Sequence, residues 1–149
     1  MTVSYDVFIE AFLLKVTEYK FCRLPEHSRQ DIVDSYLKRS CARFSEVCER
    51  GISNGDDEDR TFDLGDIPDG ELEDIIDIVS EGMLVQWMKP YVYAEENLQN
   101  MLNTADFSSY SPAELLHRIK ETYTMCKKDF TKMIRDYSYR YGDLTDLHL

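Results

Sequence analysis

The chain has 149 residues, 43% hydrophobic and 12% aromatic, which suits one domain with a real core and excludes a disordered composition. Its net charge of −12 is the wrong sign for gripping phosphates. No apolar run approaches the ~18 residues of a membrane span, and no basic region precedes an apolar one at the N-terminus, so neither a membrane anchor nor a signal peptide is expected.

The first helix is expected over Tyr5 to Tyr19, with Ser4 as its cap. Phe8, Phe12, Val16 and Tyr19 recur on one face, and Ala11, Leu13 and Leu14 widen it. That is more apolar surface than one flank of a bundle needs. Leu24-Pro25 ends the element. Ser28-Arg29-Gln30-Asp31 resembles a capping box and opens a second helix. Its inward set is Ile32, Val33, Tyr36, Leu37, Cys41, Phe44, Val47 and Cys48. Arg50 suits its last turn and Gly51 its left-handed cap.

Residues 51–67 read as a long acidic loop. From 56 to 77 there are eleven acids and one base, Arg60, against eight acids and eight bases in residues 1–50 and ten and eight in 78–149. A loop this long in a small domain is functional or disordered. The default expectation is a solvated acidic loop; alternatively Asp56, Asp57, Glu58 and Asp59 are a candidate acidic surface, facing a channel or a partner. A calcium loop started at Asp57 needs glycine sixth and glutamate twelfth, and meets Phe62 and Pro68, so no metal site is expected there.

The third helix opens at Ile67-Pro68, and Asp69, Glu71, Glu73 and Asp74 in its first turns favour the helix dipole. Leu72, Ile75, Ile76, Val79, Met83, Trp87 and Tyr91 continue into Ala94, Leu98 and Leu102 as one stripe. Trp87, the single tryptophan, and Met83 are the expected core anchors. Pro90 predicts a kink or sharp break with the stripe continuing. After a turn-rich link, Ser111-Pro112-Ala113-Glu114 is a capping box with proline at the first helical position. The fourth helix follows through Leu115, Leu116, Ile119, Tyr123, Cys126, Phe130, Met133, Ile134, Tyr137 and Tyr141, with Phe130 a third anchor. Lys120, Lys127, Lys128, Lys132 and Arg135 share its polar face with Glu121, Asp129 and Asp136, which reads as a solvated face. Gly142 stops the helix. In the tail, Leu144, Leu147 and Leu149 either fold back on the bundle or dock on another chain.

The expected fold is therefore all-α: a single-domain bundle of about four main helices over 1–141, with a long acidic loop and a short C-terminal tail at 142–149. The four cysteines, Cys22, Cys41, Cys48 and Cys126, form no CxxC and lie in helical patterns, as reduced core thiols would. His27, His117 and His148 are scattered, away from metal spacing. No phosphate loop, nucleophile elbow or zinc helix motif is present. No catalytic residue, metal or cofactor is assigned, and a non-enzyme is expected.

Three features in order resemble a known family. An acidic stretch leads into a helix ending Met83-Leu84-Val85-Gln86-Trp87. Asp106-Phe107 follows in a link, then Ser111 and Leu115-Leu116 open a long last helix closing on Tyr137-Ser138-Tyr139. Over residues 5–141 this is similar to the small helical head–tail adaptor (connector or head-completion) proteins of tailed bacteriophages, especially of phages infecting Gram-positive bacteria. Pro90 and the acidic residues 56–59 depart from the pattern.

The resemblance implies a virion neck protein, made and assembled in the host cytoplasm. It implies a homo-oligomeric ring, usually a dodecamer, seated between the portal protein and the next neck or tail component. Genomic DNA passes through without specific binding, and the tail leucines dock on the portal. An acidic lining would keep DNA from sticking. The competing expectation from the charge pattern is an intracellular acidic binding protein, such as a DNA-mimic inhibitor of a basic host enzyme.

Overall fold

The computed structural model describes residues 1–18, 30–93 and 112–142. Among these residues the order is β1 (Thr2–Ser4), α1 (Tyr5–Glu18), α2 (Gln30–Phe44), β2 (Thr61–Asp63), α3 (Asp69–Tyr93) and α4 (Pro112–Tyr141). The described residues form an all-α bundle of four helices with one small two-stranded sheet.

The bundle is built around α3, which packs against each of the other three helices. Its middle is apolar on more than one face. Ile75, Ile78, Val79, Met83, Leu84, Val85, Trp87 and Met88 are all buried, so the single stripe read from the sequence understates the helix. A helix that is apolar all round belongs inside. Phe12 of α1 meets the Trp87 ring edge-on with centroids 6.3 Å apart, and Tyr91 meets it from the next turn at 6.2 Å. The indole Nε1 is buried with no acceptor among the described residues, so Trp87 contributes through packing.

Two small residues let the outer helices close on α3. A Cβ added at Gly82 would collide with Ser40 Oγ of α2 and lie 2.7 Å from Phe130 Cζ of α4. Ser40 is buried and donates its hydroxyl to the Val79 carbonyl at 2.7 Å. Helix α4 runs antiparallel to α3: Tyr137 meets Glu71, Phe130 faces Gly82, and Tyr123 meets Tyr93.

Pro90 does not break α3, which continues through it to Tyr93. A mid-helix proline costs about 3 kcal/mol. Here Trp87 and Met88 are buried just before it, and Tyr91 and Val92 pack on the core just after, which holds the helix together across the proline.

The start of the chain differs most from the sequence reading. Residues 2–4 form a strand that pairs antiparallel with 61–63, with Val3 opposite Phe62. Ser4 then caps α1, its Oγ accepting the Asp6 amide at 3.2 Å. Helix α2 ends at Phe44, so Arg50 is not in its last turn and Gly51 does not cap it. Gly51 does have a positive φ, 80°, and a Cβ added there would press on the Asp63 carbonyl oxygen, 2.8 Å away. Ile32, read as inward, is 44% exposed. Gly142 follows the last residue of α4, where its amide donates to the Ser138 carbonyl at 2.9 Å.

Candidate functional site

The segment 51–67 is folded onto the bundle rather than solvated throughout. Ile52, Phe62, Leu64 and Ile67 are buried in the common core. Phe62 packs on Tyr5 and Phe8, with ring centroids 4.6 and 5.5 Å away. These apolar residues, in a segment with six acids, were visible in the sequence but masked by the charge around them.

The four candidate acids at the tip have unequal roles. Asp56 shapes the turn: its Oδ1 accepts the Glu58 and Asp59 amides at 2.9 and 3.1 Å, and its backbone bridges to Thr61. Asp57 is tied to the bundle. It pairs with Lys38 at 2.9 Å and accepts the Tyr5 hydroxyl at 3.0 Å. Lys38 and then Tyr5 hold its carboxyl below the usual range. Tyr5 responds in the opposite sense: burial first, then Asp57, pushes its phenol up to about 12. Glu58 and Asp59 are exposed and form no ion pair among the described residues.

Arg60, the single base of the stretch, fixes the tip from behind. It bonds Asp34 of α2 through Nη2 and Nε and Asp6 of α1 through Nη1 at 2.9 Å. Its guanidinium lies over the Tyr5 ring, 5.7 Å from the centroid. Its backbone is left-handed, with φ 56°, a conformation an arginine adopts only when its surroundings hold it there.

A second cluster locks the base of the loop. Glu71, nearly fully buried, receives Arg50 Nε and Nη2 at 3.0 and 2.8 Å and the Tyr137 hydroxyl at 2.8 Å. Arg50 also donates to the Asp66 carbonyl at 2.9 Å, and Cys48 Sγ lies 3.5 Å from the Tyr137 hydroxyl. Arg50 lowers the Glu71 carboxyl, burial opposes it, and Tyr137 adds to the lowering. Burial raises the Tyr137 phenol far above its ordinary value. One turn on, Asp74 accepts Arg140 at 3.0 Å and the Tyr141 hydroxyl at 2.8 Å. No sequence motif marked this cluster: Glu71 stands among Asp69, Glu73 and Asp74, and nothing local sets it apart from them.

Met83, Trp87 and Phe130 are buried around α3 and α4. Leu144, Leu147 and Leu149 lie outside the described residues, as do Cys22, His27, His148 and the Asp106-Phe107 link. Cys41, Cys48 and Cys126 are buried, and burial pushes the Cys41 thiol up to about 12. Among the described residues no group of three or more His, Cys, Asp or Glu is placed to hold a metal ion. No helix among them is long and apolar enough to cross a membrane.

Two kinds of unsatisfied surface remain. Helix α1 buries Phe8, Phe12 and Val16 but leaves Val7, Leu13 and Leu14 exposed, Leu14 by 70%. Helix α4 presents a row of cations beside Tyr93. Contiguous exposed apolar surface is commonly a site of association. Comparison with protein-family models, with curated proteins and with solved structures finds no match for this chain.

Proposed function

We propose that this chain is a structural virion protein: a head-to-tail adaptor that forms a ring beneath the portal of a tailed bacteriophage and continues the DNA channel to the tail. The observation that carries this reading is the apolar surplus of α1. A four-helix bundle that has closed its core around Trp87 still leaves Val7, Leu13 and Leu14 in water. Assembly with neighbours gives that surface a place to go. The motif order described above supplies the kind of assembly. Shape and interface do the work, without catalysis, cofactor or metal. The ring, a dodecamer in this reading, sits in the neck between portal and the next neck or tail component, and the genome slides through it without specific binding.

The acidic-mimic alternative has less to draw on. Asp57 is paired with Lys38 and Asp56 is held by its own turn, so neither carboxylate is as available to a partner as the sequence suggests. The tail is the portal-docking element in the adaptor reading. Deleting residues 143–149 should leave a folded monomer, by circular dichroism, that no longer co-purifies with the portal. Full portal binding by that truncation would overturn the docking role of Leu144, Leu147 and Leu149.

A further inference from the structure

Among the described residues, opposite charges are left unpaired on the loop and on α4. Five cations of the bundle have a carboxylate: Lys15 with Asp77 and Glu81, Lys38 with Asp57, Arg50 with Glu71, Arg60 with Asp6 and Asp34, Arg140 with Asp74. Lys120, Lys127, Lys128, Lys132 and Arg135 have none among the described residues, and all five are exposed. Four of them line an open groove of about 770 Å³ along α4, with Tyr93 and Thr131 in its wall and one carboxylate, Asp129. Lys127 Nζ sits 5.8 Å from the Tyr123 ring, and that ring meets the exposed Tyr93 edge-on at 6.2 Å.

The matching surplus is on the loop and the start of α3. Glu58, Asp59, Asp66 and Asp69 are exposed and without an ion pair among the described residues. In a chain of net charge −12, a groove of bare cations is a local exception that repulsion alone would not place there.

We infer that the α4 groove receives the acidic rim Glu58, Asp59, Asp66 and Asp69 of a second copy of this chain. The groove and the rim are different surfaces, so the contact is head-to-tail, the type that closes into a ring or runs on as a filament. A second copy fits better than DNA. A duplex brings one negative charge per ~1.7 Å of its axis to a chain of net charge −12, whereas the rim brings four carboxylates on a surface that also carries Lys38 and Arg60. The inference rests on the ring reading above and specifies its subunit contact.

Reversal and rescue test it. The groove variant carries Lys128→Glu and Lys132→Glu; the rim variant carries Glu58→Lys, Asp59→Lys and Asp66→Lys; a third carries all five changes. None of these side chains makes a hydrogen bond or ion pair among the described residues, and circular dichroism checks each fold. Sedimentation velocity at about 0.05 M and about 0.5 M salt reads association on either side of the ~10 Å screening length. Wild type should self-associate at the lower salt and dissociate at the higher. Each single-surface variant should bind itself about a hundredfold more weakly, because like charges then face each other. The combined variant, and an equal mixture of the two single-surface variants, should associate again.

A wild type that stays monomeric at low salt, or variants that associate like wild type, would overturn the contact. So would a groove whose reversal abolishes binding of a short DNA duplex while self-association is unchanged. Particle content separates this from the adaptor reading. Wild type and both variants present in particles at the portal's copy number, without rim-to-groove association, would remove the contact and keep the adaptor. Charge-dependent association by a protein absent from particles would keep the contact and remove the adaptor.

Discussion

Arg60 grips Asp34 with two nitrogens, Nη2 to Oδ1 at 2.8 Å and Nε to Oδ2 at 3.1 Å, and so fastens the acidic tip to α2. The pair is only about one-fifth exposed, 23% and 20% for the two side chains. Hydrogen bonds between charged groups contribute more than neutral ones. Arg60→Ala should cost about 2 kcal/mol, a melting shift of roughly 4–8 °C for a domain of this size. Limited proteolysis should then cut between 51 and 60 first. Arg60→Gly should recover about 1 kcal/mol of that loss, because glycine accepts the left-handed backbone freely. Equal melting temperatures for the two variants would show that the backbone at this position carries no strain.

The Glu71 cluster gives stability a pH window. The Glu71 carboxyl is lowered in the folded state, so its contribution is present above its ordinary value near 4.5 and is lost as pH falls through the lower folded value. The Tyr137 phenol is raised, so its contribution is present below its ordinary value near 10 and is lost as pH rises beyond it. A melting-temperature profile should therefore fall off on both sides. Glu71→Gln should flatten the acid limb and Tyr137→Phe the alkaline limb. At neutral pH, Glu71→Gln should cost about 2–3 kcal/mol, less than a fully buried pair because the Arg50 side chain is 33% exposed. An unchanged acid limb in that variant would assign acid sensitivity elsewhere.

Gly82 sets how closely α2 and α4 approach α3. Gly82→Ala gains helix propensity of about 1 kcal/mol, yet places a methyl against Ser40 Oγ and the Phe130 ring. Overpacking costs of ~1–3 kcal/mol should outweigh the gain. The expected net result in urea titration is a loss of about 1–2 kcal/mol, partly restored by adding Phe130→Leu. A stabilised Gly82→Ala would mean that the helices move apart at no cost.

Trp87 is the largest side chain buried in the core. Trp87→Ala should cost about 3–5 kcal/mol. Loss of the Phe12 and Tyr91 edge contacts should weaken α1 and the turn around Pro90 together. Hydrogen exchange should show faster exchange of the amides in both, and exchange confined to α3 would contradict this placement.

What could be read in the sequence followed from periodicity. Phe8, Phe12 and Val16, or Ile119, Tyr123, Cys126 and Phe130, recur at helical spacing, and the all-α bundle follows from them. What could not be read depended on partners distant in sequence. Thr2–Ser4 is too short to signal a strand, and its partner Thr61–Asp63 sits among charges. Arg60 looked like a lone base, since nothing local shows that Asp6 and Asp34 converge on it. Pro90 carries a strong local penalty, and tertiary packing of the neighbouring Met88 and Tyr91 outweighed it. The tip acids were named from composition alone, and composition does not separate the engaged Asp56 and Asp57 from the free Glu58 and Asp59.

The central claim is that this chain is a stoichiometric part of the neck. Quantitative mass spectrometry of purified phage particles, counting this chain against the portal protein, tests it most directly. The adaptor reading predicts equal copy number. Absence from particles, with the protein abundant in infected cells, would contradict it and favour an acidic inhibitor of a host protein.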